Sequence, residues 1–171
     1  PEKFRIIRLL CGLHKVFNAL INAKLTPHLP KFATSDMHRE IPKRSAQTAI
    51  QSLHQLIERS NLWGRSLHIF KTDIQAAYDT VLHRPILSAL HGANVDPQCT
   101  SLVGSVIANQ SYAVKINNAF ADPISLDKGL RQGCPLSPTL FAFTVAERMR
   151  KLVAKWIRER SGYPCQEQSD T

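Results

Sequence analysis

Apolar residues recur at intervals of three and four along the first third of the chain, and this spacing predicts two helices. The first spans roughly residues 12–25 and ends before Pro27. The second follows a polar, basic loop and begins at Ser45, whose side chain suits the capping position. The apolar positions predicted to face inward on these two helices are Leu13, Val16, Phe17, Leu20, Ile21, Ala49, Ile50, Leu53, Leu56 and Ile57.

The same periodicity predicts three further helices in the second half of the chain. Pro85 and Pro97 each stand where a helix begins. A long last helix follows Ser137 and Pro138, a predicted cap and first-turn pair. The inward positions are Ile86, Leu87, Leu90, Leu102, Val103, Val106, Ile107, Leu140, Phe141, Val145, Met149, Leu152, Val153 and Trp156. The far half of the last helix carries Arg148, Arg150, Lys151, Lys155, Arg158 and Arg160, which suits either a solvated face or contact with nucleic acid.

Alternation of apolar and polar positions predicts strands in two places. SLHIFKTDI, residues 66–74, is typical of a short strand buried mainly on one face, with Asp73 at its C-terminal end. SYAVKINNAFADPISL, residues 111–126, predicts two strands joined at Asn117 and Asn118, because both residues tolerate the left-handed conformation of a tight turn. The predicted fold class is therefore α+β, with helices packed on a small antiparallel sheet.

Composition indicates a folded protein rather than a disordered one. Of the 171 residues 43% are hydrophobic, which is enough to bury a sizeable core. The formal net charge of +9 favours a polyanionic partner such as nucleic acid, although such charge also serves solubility. The 4 cysteines show no zinc-ligand spacing, and no apolar run approaches the roughly 20 residues that cross a bilayer. We therefore expect a reduced, intracellular location, without secretion or membrane insertion.

Two stretches of the chain carry residues suited to phosphoryl chemistry. The first is KTDIQAAYDTV, residues 71–81, where a strand end would place Asp73 beside the free backbone carbonyl of Ile74. Such oxygens are the natural ligands of Mg2+, although a lone strand-end aspartate is also common as a structural residue. Tyr78 would lie over whatever the metal holds, or pack beneath the next helix. Asp79 is predicted to cap that helix.

The second stretch is GLRQGCPLSP, residues 129–138, in which glycine and proline interrupt an otherwise regular sequence. Glycine permits close approach of backbone, and the helix start after Ser137 presents unpaired N–H groups to phosphate. Taken by itself the stretch also fits a simple turn.

Together, DIQAAYD and GLRQGCPLSP resemble the first two palm motifs of reverse transcriptases, with the closest likeness to the enzymes of non-LTR retrotransposons. RIIRLLCGLHKVFNALINAKLTPHL is similar to the N-terminal segment and helix of that family, and RSAQTAI is similar to its finger segment. The resemblance covers roughly residues 4–157.

The resemblance implies a role for several residues at a polymerase site. Asp73 would be the first metal-binding aspartate, and the Ile74 carbonyl a second oxygen ligand of Mg2+. The partners would be an RNA template, a DNA primer and deoxynucleoside triphosphates.

The resemblance also implies contacts with the incoming nucleotide. Tyr78 would be the steric gate beneath the sugar, rejecting the 2'-OH of a ribonucleotide. Gln132 and Gly133 would border the nucleotide and the template. Arg44 would approach the triphosphate from the fingers.

The sequence departs from the family pattern at several positions. Ile6 stands where proline is usual, and Thr48 where aspartate is common. The third palm motif, an aromatic-x-Asp-Asp turn that supplies the remaining carboxylates, is absent from these 171 residues. The acidic residues after Gly133 are Glu147, Glu159, Glu167 and Asp170.

These observations predict a fragment of an RNA-directed DNA polymerase that is inactive alone. Residues 1–66 would belong to the fingers, residues 67–160 to a partial right-hand palm, and residues 161–171 to a disordered tail. A chain that starts at Pro1 also suggests a piece of something longer, located in the nucleus if the source is a eukaryotic retroelement. The alternatives are a catalytically inert nucleic-acid-binding remnant and a piece of a group II intron maturase.

Overall fold

The structure, a computed structural model, describes residues 9–117 and 119–159. The helices are α1 (Gly12–Leu25), α2 (Leu29–Phe32), α3 (Ala46–Leu62), α4 (Ala77–Thr80), α5 (His83–Gly92), α6 (Pro97–Ala108) and α7 (Ser137–Arg158), with a 3-10 turn over Thr26–His28. The strands are β1 (Ser111–Tyr112), β2 (Lys115–Ile116), β3 (Ala119–Phe120) and β4 (Ile124–Ser125). The described part of the chain is thus mostly helical.

Two of the predicted helix starts are confirmed by their capping hydrogen bonds. The Ser45 hydroxyl accepts from the Thr48 N–H at 3.3 Å, and the Thr48 hydroxyl accepts from the Ser45 N–H at 3.1 Å, which forms a reciprocal capping box. The Asp96 carboxylate accepts from the N–H groups of Gln98 and Cys99, at 2.8 Å and 3.0 Å. These caps satisfy backbone donors that the helix itself leaves unpaired.

The core forms where α5 packs against α6 and α7. Ile86 and Leu90 of α5 are fully buried, as predicted, and so is Val103 of α6. The Phe143 ring of α7 lies 6.0 Å from the Phe32 ring of α2, centroid to centroid. Full burial of each such side chain contributes about 1.5–3 kcal/mol. This helical cluster supports the segments that precede α5 and α7.

Several apolar positions that were predicted to face inward lie on the surface of the described chain. They are Leu13, Val16, Phe17, Leu20, Ile50, Leu53, Leu102, Leu152 and Trp156. Leu13 is 85% exposed, whereas Asn18, Ile21 and Leu25 are the buried residues of α1. An apolar stripe marks the face that favours burial, but burial also requires a neighbouring element to cover that face.

The starts of α5 and α7 differ from the prediction. Ser137 is not a cap: Leu136 occupies the capping position, and Ser137 is the first helical residue. The Ser137 N–H donates to the Cys134 carbonyl at 3.2 Å within the preceding turn, and no capping side chain is used. α5 begins at His83, so Pro85 lies within its first turn, where a missing N–H costs little.

The predicted hairpin is confirmed, although its strands are very short. β2 pairs antiparallel with β3, and β1 pairs antiparallel with β4. Asn117 has a φ of +44°, the left-handed conformation expected at a tight turn. The described residues of β3 and β4 are exposed, so the core lies between helices rather than on a sheet.

The strand predicted over residues 66–74 is wrong, because these residues have no regular secondary structure. Alternation can mark residues suited to one buried face, but a strand also needs a neighbour to complete its backbone hydrogen bonds. No described strand pairs with this segment. Asp73 therefore lies in an exposed, irregular segment before α4.

Two further predictions concern the C-terminal tail and membrane crossing. The predicted tail, residues 161–171, lies outside the described residues. Among the helices that the structure describes, none combines the length and the apolar character that crossing a bilayer requires.

Candidate active site

The two stretches that carry the sequence motifs line one cleft of about 1070 Å³. One wall consists of residues 73–79, and the other is formed by residues 131–135 with Ser137 and Pro138 at the start of α7. Asp73, Gln132 and Gly133 are thus brought together as the sequence predicted, although no strand carries Asp73.

A backbone clamp holds the two walls together. The Leu130 N–H donates to the Tyr78 carbonyl at 2.6 Å, and the Gly129 N–H donates to the Val81 carbonyl at 2.7 Å. The Nε2 atom of His83 lies 3.0 Å from the Gly129 carbonyl oxygen, close enough to donate a hydrogen bond. These contacts join residues about fifty positions apart in sequence, so the clamp connects the two segments that form the cleft walls.

Glycine is required at the centre of this clamp. Gly129 has a φ of +88°, and a Cβ atom there would lie 2.9 Å from the Asp79 carbonyl oxygen and 3.1 Å from that of Tyr78. The positive φ and the short contacts each disfavour any residue that has a Cβ atom at this position. Gly133, on the cleft wall, also has a positive φ of +91°.

Asp73 presents an exposed carboxylate to the cleft. It makes no hydrogen bond or ion pair with any described residue, and the neighbouring Ile74 is also exposed and lines the cleft. A hard oxygen ligand that is free of protein partners fits one Mg2+ ion whose other ligands are water or phosphate. In the described part of the chain, however, no three His, Cys, Asp or Glu side chains are grouped to hold a metal. The donor set therefore fits a single ion and does not fit a pair.

A tight turn places Tyr78 in the cleft. Ala76 has a φ of +49°, and its carbonyl accepts from the N–H groups of Asp79 and Thr80 at 2.9 Å and 3.1 Å. The half-buried Tyr78 ring then packs 5.2 Å from the Phe141 ring of α7, centroid to centroid. Because Tyr78 and Phe141 both pack against the hydrophobic core, the ring forms a firm part of the cleft wall.

Asp79 does not cap the next helix as predicted, because Leu82 occupies the capping position of α5. Its carboxylate instead accepts a hydrogen bond from the Gln132 amide, Nε2 to Oδ2, at 3.1 Å. This contact links the two walls and orients the glutamine of the second motif. The sequence offered no sign of it beyond the presence of both residues in the motifs.

Arg131 forms a further link that the sequence did not indicate. Its Nη1 atom lies 3.1 Å from Nε2 of His14, which ties the cleft wall to α1.

Arg44 is not brought to the cleft, in contrast to the expectation that it approaches a triphosphate there. Its Nη1 atom donates to the carbonyl oxygens of Thr34, Ser35 and Met37, at 3.0, 2.9 and 2.8 Å. The guanidinium therefore holds the loop between α2 and α3, because three carbonyl oxygens of that loop converge on one of its nitrogens.

The sequence of this chain matches one known protein family over almost all of its length. A profile described as reverse transcriptase (RNA-dependent DNA polymerase) matches residues 1–165. The chain belongs to the reverse transcriptase family. In this reverse transcriptase chain the cleft is lined by both of the motifs that carried the resemblance.

Individual relatives of this reverse transcriptase chain come from transposable elements. An uncharacterized 149 kDa protein of transposon TX1 from Xenopus laevis is 26% identical over 144 residues, which cover 84% of this chain. A Pol polyprotein from the type-1 retrotransposable element R2 of Popillia japonica is 29% identical over 100 residues, 58% of this chain. A probable RNA-directed DNA polymerase from transposon BS of Drosophila melanogaster is 23% identical over 153 residues, 86% of this chain.

These relatives confirm the resemblance to reverse transcriptases of non-LTR retrotransposons. The matched region is a small part of each relative. It spans 11% of the length of the Xenopus protein and 16% of each of the other two.

Proposed function

We propose that this chain forms the nucleotide-binding part of an RNA-directed DNA polymerase site, with residues 1–66 in the fingers and residues 67–160 in a partial palm. The observation that carries the proposal is the cleft, whose two walls are the two motif segments. In the whole protein this cleft would receive a deoxynucleoside triphosphate opposite an RNA template, beside the 3'-OH of a DNA primer.

Asp73, with the Ile74 carbonyl, would hold a Mg2+ ion together with the phosphates of the nucleotide. The exposed carboxylate, free of described partners, supports this role. Bound there, the ion would neutralise phosphate charge, which is a large part of catalysis in phosphoryl transfer. The chain's own contribution is to hold the triphosphate in place between the two walls.

Tyr78 and Gln132 would position the rest of the nucleotide. The Tyr78 ring is fixed against Phe141, so it can act as a wall against the 2'-OH of a ribose. The Gln132 amide is oriented by Asp79, and Gly133 leaves room for close approach of a base or sugar.

A second function, that of a catalytically inert nucleic-acid-binding chain, is favoured by one observation. The described residues group no three potential metal ligands. The two functions differ in whether the chain binds deoxynucleoside triphosphates in a Mg2+-dependent manner.

The proposal predicts that Asp73→Asn weakens Mg2+-dependent binding of a deoxynucleoside triphosphate by about tenfold or more, because a charged contact of about 1.5–3 kcal/mol is lost. Isothermal titration calorimetry on the isolated chain, with and without Mg2+, measures this effect. Asp122→Asn is the matched control, since it removes the same charge from an exposed residue that does not line the cleft. Equal affinity of the two variants would contradict the assignment of Asp73.

A further prediction concerns the choice of sugar. Tyr78→Ala should reduce the preference for a deoxynucleotide over the matching ribonucleotide by about tenfold, which corresponds to about 1.4 kcal/mol. Competition binding with the two triphosphates measures the ratio. Tyr78→Phe keeps the ring and should keep the preference, so a loss in both variants would count against the steric role.

A further inference from the structure

Four cations follow one side of the C-terminal half of α7. Arg148, Lys151, Lys155 and Arg158 are spaced three, four and three residues apart. At 3.6 residues per turn they fall within a sector of about 80° and extend over about 15 Å of helix. All four residues are exposed, and the side chains of Lys151 and Arg158 are 66% and 77% accessible.

A groove at the start of this row adds a fifth cation from another helix. It has a volume of about 470 Å³ and lies between α5 and α7, with Arg84 on one side and Arg148 and Lys151 on the other. We call Arg84, Arg148, Lys151, Lys155 and Arg158 the basic stripe.

Nearby carboxylates neutralise the basic stripe only in part. Glu147, which also lines the groove, accepts from Lys151 at 2.8 Å and from Ser88 at 3.2 Å. The hydrogen bond from Lys151 holds the pKa of the Glu147 carboxyl below its ordinary value. Glu159 lies 4.0 Å from Arg158, a distance at which pairing is weak. Among the residues that the structure describes, these five cations thus face two carboxylates.

Three members of the stripe have no such partner. Arg84, Arg148 and Lys155 form no ion pair with any residue that the structure describes. Arg150, although it lies in the same half of α7, is not part of the stripe, because its guanidinium stacks 4.5 Å from the centre of the Phe32 ring. Arg84, Arg148 and Lys155 therefore remain available for a ligand, whereas the neighbouring Arg150 is used in packing.

The basic stripe is separate from the cleft. The cleft reaches α7 at Ser137 and Pro138, in the first turn, whereas the stripe residues of α7 begin at Arg148, and Arg84 does not line the cleft. With a rise of 1.5 Å per residue, ten to twenty residues correspond to about 15–30 Å along the helix. A ligand on the stripe therefore does not occupy the nucleotide position.

We propose that the basic stripe binds the phosphate backbone of the RNA–DNA duplex beyond the cleft, an inference that rests on the proposed polymerase function. A line of cations suits a polyanion with regularly spaced charges, and a DNA duplex carries one charge per about 1.7 Å of its axis. The three guanidinium groups can each contact a phosphate through two N–H groups. Such contacts position a duplex without selecting its sequence.

The test compares two triple substitutions that remove the same charge. Arg148→Gln, Lys151→Gln and Lys155→Gln neutralise the stripe, whereas Lys15→Gln, Lys24→Gln and Lys31→Gln neutralise exposed lysines on α1 and α2. Fluorescence anisotropy with a labelled RNA–DNA duplex, at several salt concentrations, gives the affinity and its salt dependence. Circular dichroism verifies that both variants are folded.

We expect the stripe variant to bind the duplex at least tenfold more weakly at low salt. Affinity decreases as salt increases, and the slope of log affinity against log salt should become less steep by about 2 to 3. Each phosphate contact contributes about 0.9 to that slope, and the variant removes three cations. The control variant should change the slope by less than about 1. Equal losses in the two variants would overturn the inference and leave net charge as the cause.

Other outcomes separate the possible failures. If the unsubstituted chain binds a deoxynucleoside triphosphate with Mg2+ but does not bind the duplex, the stripe inference is wrong and the proposed function stands. If the chain binds neither ligand, both are wrong. A parallel arm uses vesicles of phosphatidylcholine with phosphatidylserine. If the stripe variant loses binding to these vesicles but keeps its affinity for the duplex, the stripe is a membrane-contacting surface and the inference is wrong.

Discussion

Gly129→Ala is expected to lower the free energy of unfolding by about 2–4 kcal/mol, combining the left-handed backbone cost with steric crowding. The new Cβ atom would lie 2.9 Å from the Asp79 carbonyl oxygen, and the backbone cannot relax without weakening the hydrogen bond from Leu130 to Tyr78. The substitution therefore also loosens the clamp that sets the cleft, and we expect nucleotide binding to weaken with it.

Chemical denaturation in urea, followed by circular dichroism, measures the change. Gly104→Ala is the matched control, because its Cβ atom would meet only the Leu87 side chain, at 3.7 Å, within the helical part of α6. Alanine is favoured over glycine in a helix by about 1 kcal/mol, so the control should be neutral or stabilising. Similar unfolding free energies for the two variants would show that Gly129 is not under the constraint described.

The sequence predicted those parts of the fold that have local causes. The cap at Ser45 and the helix start at Pro97 depend on residues within one helical turn, so local sequence was enough to predict them. The turn at Asn117 is local in the same sense. The long helix after Pro138 was also predictable, since it combines a proline in its first turn with a sustained apolar period.

The faces that the helices bury could not be predicted as well. On α1 the apolar residues at 13, 16, 17, 20 and 21 were predicted to face inward, yet of these Ile21 alone is buried, together with Asn18 and Leu25. Which face is buried depends on the positions of other elements, and those positions are set by contacts distant in sequence. The strand predicted before Asp73 was wrong for the same reason, since a strand forms only where a second strand, often distant in sequence, pairs with it.

The sequence predicted which two segments form the cleft, but not the contacts that join them. The motif segments indicated that Asp73 and Gln132 lie near each other, and the structure places both in one cleft. The hydrogen bond from Gln132 to Asp79 and the contact of His83 with Gly129 join residues far apart in sequence, and no spacing rule reveals such pairs. Arg44 does not line the cleft, and its hydrogen bonds to the carbonyl oxygens of its own loop could not be predicted from its position near a motif.

Primer extension by this chain alone is expected to be absent, at any concentration that leaves the protein soluble. Two-metal phosphoryl transfer needs two ions held about 3.5–4 Å apart. In the cleft, Asp73 offers a carboxylate without described partners, while the Asp79 carboxylate binds Gln132. The sequence contains no Asp-Asp pair that could complete the set.

Glu147 does not replace the missing carboxylates, because it lies in the groove between α5 and α7 and accepts hydrogen bonds from Lys151 and Ser88. A primer-extension assay with an RNA template, a DNA primer, all four deoxynucleotides and either Mg2+ or Mn2+ measures the result, with Asp73→Ala as the control. Extended primer that is present with the unsubstituted chain and disappears with Asp73→Ala would contradict the prediction, since it would mean that the site acquires its second ion without those carboxylates. Extension that persists in both samples would instead reveal a contaminating polymerase. If neither sample extends the primer while the unsubstituted chain still binds the nucleotide with Mg2+, then binding and chemistry are separated in this chain, as a single-ion site requires.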